Sequence, residues 1–138
     1  MRVYLDSSAI IKRAIDEPES ADLERVVRRH STGESILLAS ALATIEVSRA
    51  LRSRLDEHPP AQLVDLLEAA LGGIAECGIS SQVIGVARRL GPTGLRSLDA
   101  IHLATASIVA ADLVIAYDHR LLRAADELGF RTASPGAP

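Results

Sequence analysis

Four carboxylates, Asp6, Glu46, Asp99 and Asp118, are scattered through the 138 residues, yet each stands where an apolar segment hands over to a helix. Asp6 ends the run Val3-Tyr4-Leu5, and Asp118 ends Leu113-Val114-Ile115-Ala116-Tyr117. Glu46 falls early in the helical pattern that follows Ile36-Leu37-Leu38-Ala39, and Asp99 opens the pattern Leu98-Asp99-Ala100-Ile101-His102-Leu103-Ala104. Carboxylates gathered without counter-charge are stabilised only by protons or cations. An all-carboxylate site suits a hard divalent ion, Mg²⁺ or Mn²⁺.

The elements that must bring these acids together are readable from period and punctuation. Strands are expected over about 2–6, 35–39, 74–77 and 113–117, with a short edge strand at 130–132. Helices are expected after Ser7-Ser8, from Pro18 and Ser20 to about 29, over 40–57, from Pro60 to Gly72-Gly73, and over 80–90, 97–110 and 119–128. Alternating strands and helices give a three-layer α/β/α domain around a mainly parallel sheet of four to five strands. In such a sheet, ligands gather outside the carboxyl ends of the strands at the switch in strand order. Asp6 and Asp118 directly follow strands, while Glu46 and Asp99 lie in the first turns of helices at the same end. Topology alone therefore sets all four on one rim. A single domain is expected over 1–133, with 134–138 a flexible tail.

Composition narrows the chemistry. Hydrophobic residues make up 48%, too many for a disordered chain, and no apolar run is long enough to span a membrane. The acid at position 6 arrives too early for a signal peptide. Cys77 is the only cysteine, read as a buried thiol, and the cytosol is the expected compartment. The net charge of −3 does not exclude a nucleic-acid partner. Setting aside the four clustered acids leaves 14 against 15 basic residues, and bound cations would make the site itself attractive to phosphate. With 2% aromatic residues, a base-stacking platform is not expected. Glycine-rich phosphate loops, Cys/His zinc spacings and Ser-His-Asp arrangements are not visible in the chain.

Several residues have two readings. Asp6 and Asp118 also fit as helix caps. Ser7 either orients Asp6 or a water at the site, or simply caps the first helix. Arg96, just before the acidic helix, either grips a substrate phosphate or pairs with a carboxylate. His102, three residues after Asp99, is assigned to the core, and His119 to the surface.

The opening Val3-Tyr4-Leu5-Asp6-Ser7-Ser8-Ala9, the acid in Thr44-Ile45-Glu46-Val47, the run Leu95 to Ala104 and the segment Tyr117-Asp118-His119-Arg120-Leu121 resemble PIN-domain ribonucleases. More narrowly, the chain resembles the VapC toxins of bacterial type II toxin–antitoxin pairs, over nearly its whole length. The resemblance implies an endoribonuclease dependent on Mg²⁺ or Mn²⁺, inhibited by a VapB-like antitoxin and usually dimeric. It carries catalytic and metal-binding roles over to Asp6, Glu46, Asp99 and Asp118. One departure is Ala116, where many relatives have Thr or Ser two residues before the last acid.

On this reading Asp6 and Asp99 hold the principal ion, Glu46 and Asp118 complete the shell or support a second, and Arg96 steadies the scissile phosphate. Two other classes fit parts of the pattern: a non-catalytic module whose acids receive a partner's arginine, and an aspartate-based phosphotransfer enzyme. The second lacks the acid two residues after Asp6, where Ser8 stands.

Overall fold

Strands covered on both faces must be apolar on both, and the first strand shows this directly: Val3, Tyr4 and Leu5 are all fully buried. The computed structural model describes residues 1–138. Its elements are β1 (Arg2–Leu5), α1 (Ser7–Ala14), α2 (Ser20–Ser31), β2 (Ile36–Ser40), α3 (Ala41–Arg54), α4 (Pro60–Leu71), β3 (Ile74–Cys77), α5 (Ser81–Ala87), α6 (Ser97–Ile108), β4 (Leu113–Ile115), α7 (His119–Glu127) and β5 (Thr132–Ala133). The strand order is β3-β2-β1-β4-β5, and every neighbouring pair is parallel. The expected α/β/α architecture is present with five strands. The order reverses between β1 and β4, where Val3 pairs with Leu113 and Leu5 with Ile115.

The side-chain period of two sorts the core. Val3 and Leu5 point to one face, with Leu37, Ala39 and Ile115, and pack against Ile10, Leu23, Val47 and Leu51 from α1, α2 and α3. Tyr4 points to the other, with Val114 and Ala116, against Leu103 of α6 and Leu121 and Ala124 of α7. Position 6 therefore projects toward the α6 side, where Asp99 and His102 originate.

Several boundaries differ from expectation, each for a local reason. The last central strand stops at Ile115 rather than 117, because the Tyr117 amide leaves the ladder to donate to the Ser8 hydroxyl (2.9 Å). α3 ends at Arg54 rather than 57, where the chain turns toward Pro59-Pro60 and residues before proline avoid helical geometry. α6 ends at Ile108, ahead of Ala110 in the left-handed region at φ 51°. The edge strand falls at Thr132–Ala133 rather than 130–132. In the tail, the Ser134 hydroxyl donates to the Ala116 carbonyl and the Tyr117 hydroxyl to that of Pro135, both at 2.7 Å. Cys77 is half-buried rather than enclosed.

A charged knot ties α1 to the start of α2 and the end of α3. The Lys12 ammonium, on a side chain only 11% exposed, bonds to Glu17 and to Glu19 at 2.8 Å and lies 4.7 Å from the centre of the Tyr117 ring. Arg54 reaches Glu17 at 2.7 Å. The hydrogen bond from Lys12, opposed in part by desolvation and aided by Arg54, lowers the Glu17 pKa below its ordinary 4.5. A carboxylate with a depressed folded-state pKa contributes stability above its unfolded pKa, lost as pH falls through the folded value. The urea midpoint is therefore expected to drop between about pH 5 and pH 3, with a shallower drop in Glu17→Gln. An identical pH profile in the two proteins would show that the knot contributes nothing.

Candidate active site

The end of β1 makes Asp6 both a cap and a candidate ligand. Its amide donates to the Ile115 carbonyl across the switch point (3.0 Å), and its backbone then turns into α1 with extended φ and ψ. The carboxylate is only 5% exposed. Oδ2 accepts the Ser8 amide at 3.2 Å and the Ser8 hydroxyl at 2.7 Å. The same hydroxyl accepts the Tyr117 amide, so one oxygen bridges the ends of β1 and β4. Of the two readings of Ser7, orienting Asp6 is the one its neighbour fills instead: Ser8 holds the carboxylate.

Asp118 caps α7, its Oδ1 accepting the Arg120 and Leu121 amides at 2.8 and 3.0 Å, and is exposed. Asp99, in the first turn of α6, is half-buried. Desolvation raises its pKa above the ordinary carboxylate value, and the charges of Asp118 and Asp6 raise it further; His102 and Arg120 pull it back in part. Three aspartates from three segments thus share one electrostatic environment.

Glu46 reaches the rim from the second turn of α3, but its Oε1 lies 2.5 Å from His102 Nε2. His102 is 1% exposed and held from behind by the Tyr4 hydroxyl, 2.7 Å from Nδ1, with the two rings edge-to-face at 6.1 Å. Nε2 is also 3.4 Å from Asp6 Oδ1. Burial alone would lower the histidine's pKa, but the hydrogen bond to Glu46 and the charges of Asp6, Glu46 and Asp99 outweigh it and raise the pKa. Burial, then the charge of Asp6, pushes the Tyr4 phenol well above its ordinary pKa. Tyr4 therefore stays protonated. Whether the imidazole is neutral with Nδ1 accepting from Tyr4, or doubly protonated, Nε2 carries the hydrogen that faces Glu46.

His102 is buried, as expected of a core residue, and is also the link between two of the four acids. The signal was its position one helical turn after Asp99, on the same face of α6. Arg96 and His119 are both exposed, and neither makes an ion pair or a side-chain hydrogen bond.

As they stand, no three of these side chains are arranged to enclose a metal ion, and Glu46 is engaged by His102. The donor chemistry nevertheless fits a hard cation: Asp6, Asp99 and Asp118 offer only oxygen, and their mutual repulsion is the field a divalent ion relieves.

The PIN domain family model matches residues 3–127. Ribonuclease VapC47 of Mycobacterium tuberculosis (strain CDC 1551 / Oshkosh) is 39% identical over 137 residues, 98% of each chain. Ribonuclease VapC46 of Mycobacterium tuberculosis (strain ATCC 25618 / H37Rv) is 42% identical over 136 residues, 96% of this chain and 97% of its own. Among solved structures, Mycobacterium tuberculosis VapC20, described as a sarcin–ricin loop cleaving toxin, superposes with a TM-score of 0.72 at 14% identity, covering 96% of this chain and 99% of that one. VapBC2 of Rickettsia felis, bound to a DNA fragment from its promoter, gives 0.69 at 11% identity, with 96% and 98% covered. At these identities the two structures support the fold.

The buried Tyr4–His102–Glu46 chain has a measurable cost of interruption. Tyr4→Phe leaves His102 Nδ1 without its partner inside the α6 layer, and is expected to lower unfolding free energy by about 1–3 kcal/mol. Urea denaturation at neutral pH reads this directly. A change within error would mean that the imidazole finds another partner at no cost.

Proposed function

Taking as premise that this chain belongs to the PIN domain family, in its VapC ribonuclease branch, we propose that it is a metal-dependent endoribonuclease acting as the toxin of a toxin–antitoxin pair. The observation that carries this reading is the placement of Asp6 at the end of β1, Asp118 just after β4 and Asp99 in the first turn of α6, around the switch in strand order. Relatives named as ribonucleases support RNA as the substrate class.

Asp6 and Asp99 are proposed as the principal ligands of Mg²⁺ or Mn²⁺, with Asp118 supplying its Oδ2, which is not used in capping. When bound, such an ion lowers the pKa of water and neutralises charge on the phosphate oxygens. The chain's own residues do the rest. Ser8 fixes the Asp6 carboxylate so that Oδ1 faces the site. His102 holds Glu46 beside Asp6, restraining a flexible side chain that is 28% exposed. Arg96, unpaired at the start of α6, is available to the scissile phosphate. The Ser7 hydroxyl, which makes no hydrogen bond within the chain, is available to substrate at the start of α1.

Purified protein, free of antitoxin, is expected to cut total cellular RNA into discrete fragments with Mg²⁺ or Mn²⁺ and not with EDTA. Metal assistance is worth several kcal/mol, so Asp6→Asn is expected to slow cleavage by about 10³-fold while keeping the fold. Undiminished cutting by folded Asp6→Asn would sink the assignment.

VapBC complexes from Rickettsia felis and nontypeable Haemophilus influenzae share this fold, which supports a VapB-like antitoxin as partner here. The surface that suits one is a groove of about 270 Å³ between α3 and α4, lined by Leu51, Pro60, Leu63, Val64 and Leu67. A second copy of the chain, as a homodimer, is proposed as well. No helix is long and apolar enough to cross a membrane, and a cytoplasmic setting is proposed, with residues 1–133 forming the single domain. Val64 is 52% exposed in the groove, so Val64→Asp is expected to leave the fold and cleavage intact. Inhibition by the antitoxin encoded beside the gene should be lost; full inhibition of the variant would place the antitoxin elsewhere.

A further inference from the structure

Four arginines are paired with carboxylates: Arg13 with Glu24, Arg25 with Asp22, Arg28 with Glu24 and Arg54 with Glu17. Arg120 and Arg123 are not. Both are exposed, neither makes an ion pair or side-chain hydrogen bond, and at i,i+3 spacing on α7 they share one face. That face forms one wall of a groove of about 200 Å³, with the 92–95 loop opposite. The loop contributes donors of its own, since the Thr93 and Gly94 amides make no backbone hydrogen bond. Gly94 holds φ at +89°, a conformation that side chains disfavour. One acid, Glu127, also lines the groove, so its charge is net positive.

The groove runs into the acidic rim. The Arg120 amide donates to Asp118 Oδ1 at 2.8 Å, which sets the end of the groove beside that carboxylate. Arg96, exposed and unpaired, stands where the 92–95 loop enters α6. A polyanion whose scissile phosphate sits among the aspartates thus meets positive charge and free amides next to it.

We propose that the cleft between α7 and the 92–95 loop binds the sugar–phosphate backbone of single-stranded RNA flanking the cleavage point, with Arg120 and Arg123 as its phosphate contacts. The inference rests on the ribonuclease reading and extends it to where the rest of the strand lies. No aromatic residue lines the cleft, so its contacts are to phosphate and not to stacked bases. Binding there is electrostatic and indifferent to sequence. Arg49 and Arg52 are also exposed, but lie on α3, and Arg52 lines the apolar groove already assigned to a protein partner.

The test measures anisotropy of a fluorescein-labelled, mixed-sequence oligoribonucleotide against full-length protein carrying Asp6→Asn, which prevents cleavage, across a salt series at fixed Mg²⁺. Adding Arg120→Ala with Arg123→Ala should weaken binding about tenfold and flatten the plot of log Kd against log salt by about 1 to 2. Arg120→Lys with Arg123→Lys should recover most of the slope. Arg25→Ala with Arg28→Ala, which removes equal charge from the opposite layer, should behave as the parent. Equal loss from both pairs, or none from the α7 pair, overturns the proposal. The ribonuclease reading fails separately, if protein with Asp6 intact cuts no RNA in the presence of Mn²⁺.

Discussion

One hydroxyl holds the two halves of the rim together. Where the strand order reverses, β1 and β4 are neighbours whose following segments diverge to opposite layers, and a parallel ladder cannot continue past that point. Ser8 closes the gap by donating to Asp6 and accepting from the Tyr117 amide. The same bond that ends β4 two residues early also places Asp118 at the start of α7. The placement of Asp6 and Asp118 therefore depends on a single side chain, while Asp99 is brought in by α6.

Crowding like charges is unfavourable, and the structure offsets it by several local means. Asp6 and Asp118 each spend one oxygen on the amides at a helix start, where the dipole favours negative charge. His102 sets a hydrogen-bonding N–H between Glu46 and Asp6, backed by a tyrosine that burial keeps protonated. Asp99 has no such partner. Burial and the charges of Asp118 and Asp6 raise its pKa, a repulsion that a cation would relieve. Sites that perturb a carboxylate in this way by burial and like charge are where catalytic groups concentrate.

The layered architecture, the order of elements and the common rim of the four acids were legible because they rest on period and topology, which the sequence displays. The choice between Ser7 and Ser8 was not, because adjacent hydroxyls at a helix start differ only in the direction of their Cβ vectors. The link from Glu46 to His102 spans 56 residues, and no local pattern encodes a contact of that separation. His102 was legible as buried, since Leu103 and Ala104 flank it on an apolar helix, but a buried histidine shows its partners only once the strand opposite is placed. The early end of β4 was hidden for a related reason: Ala116 and Tyr117 read as strand by type, while the bond that removes Tyr117 comes from α1.

The whole-chain charge of −3 describes this molecule poorly, because charge is sorted by surface. Where α1 meets α2 and α3, charge is paired around Lys12, Arg13 and Arg54. On the rim Asp99 and Asp118 make no ion pair, and on the α7 face beside it Arg120 and Arg123 make none. Adjacent fields of opposite sign, left uncompensated by the chain's own side chains, suit a ligand that brings both a cation and a string of anions. A polyphosphate backbone with divalent metal meets that description, whereas an isolated carboxylate or a neutral metabolite would satisfy only one of the two fields.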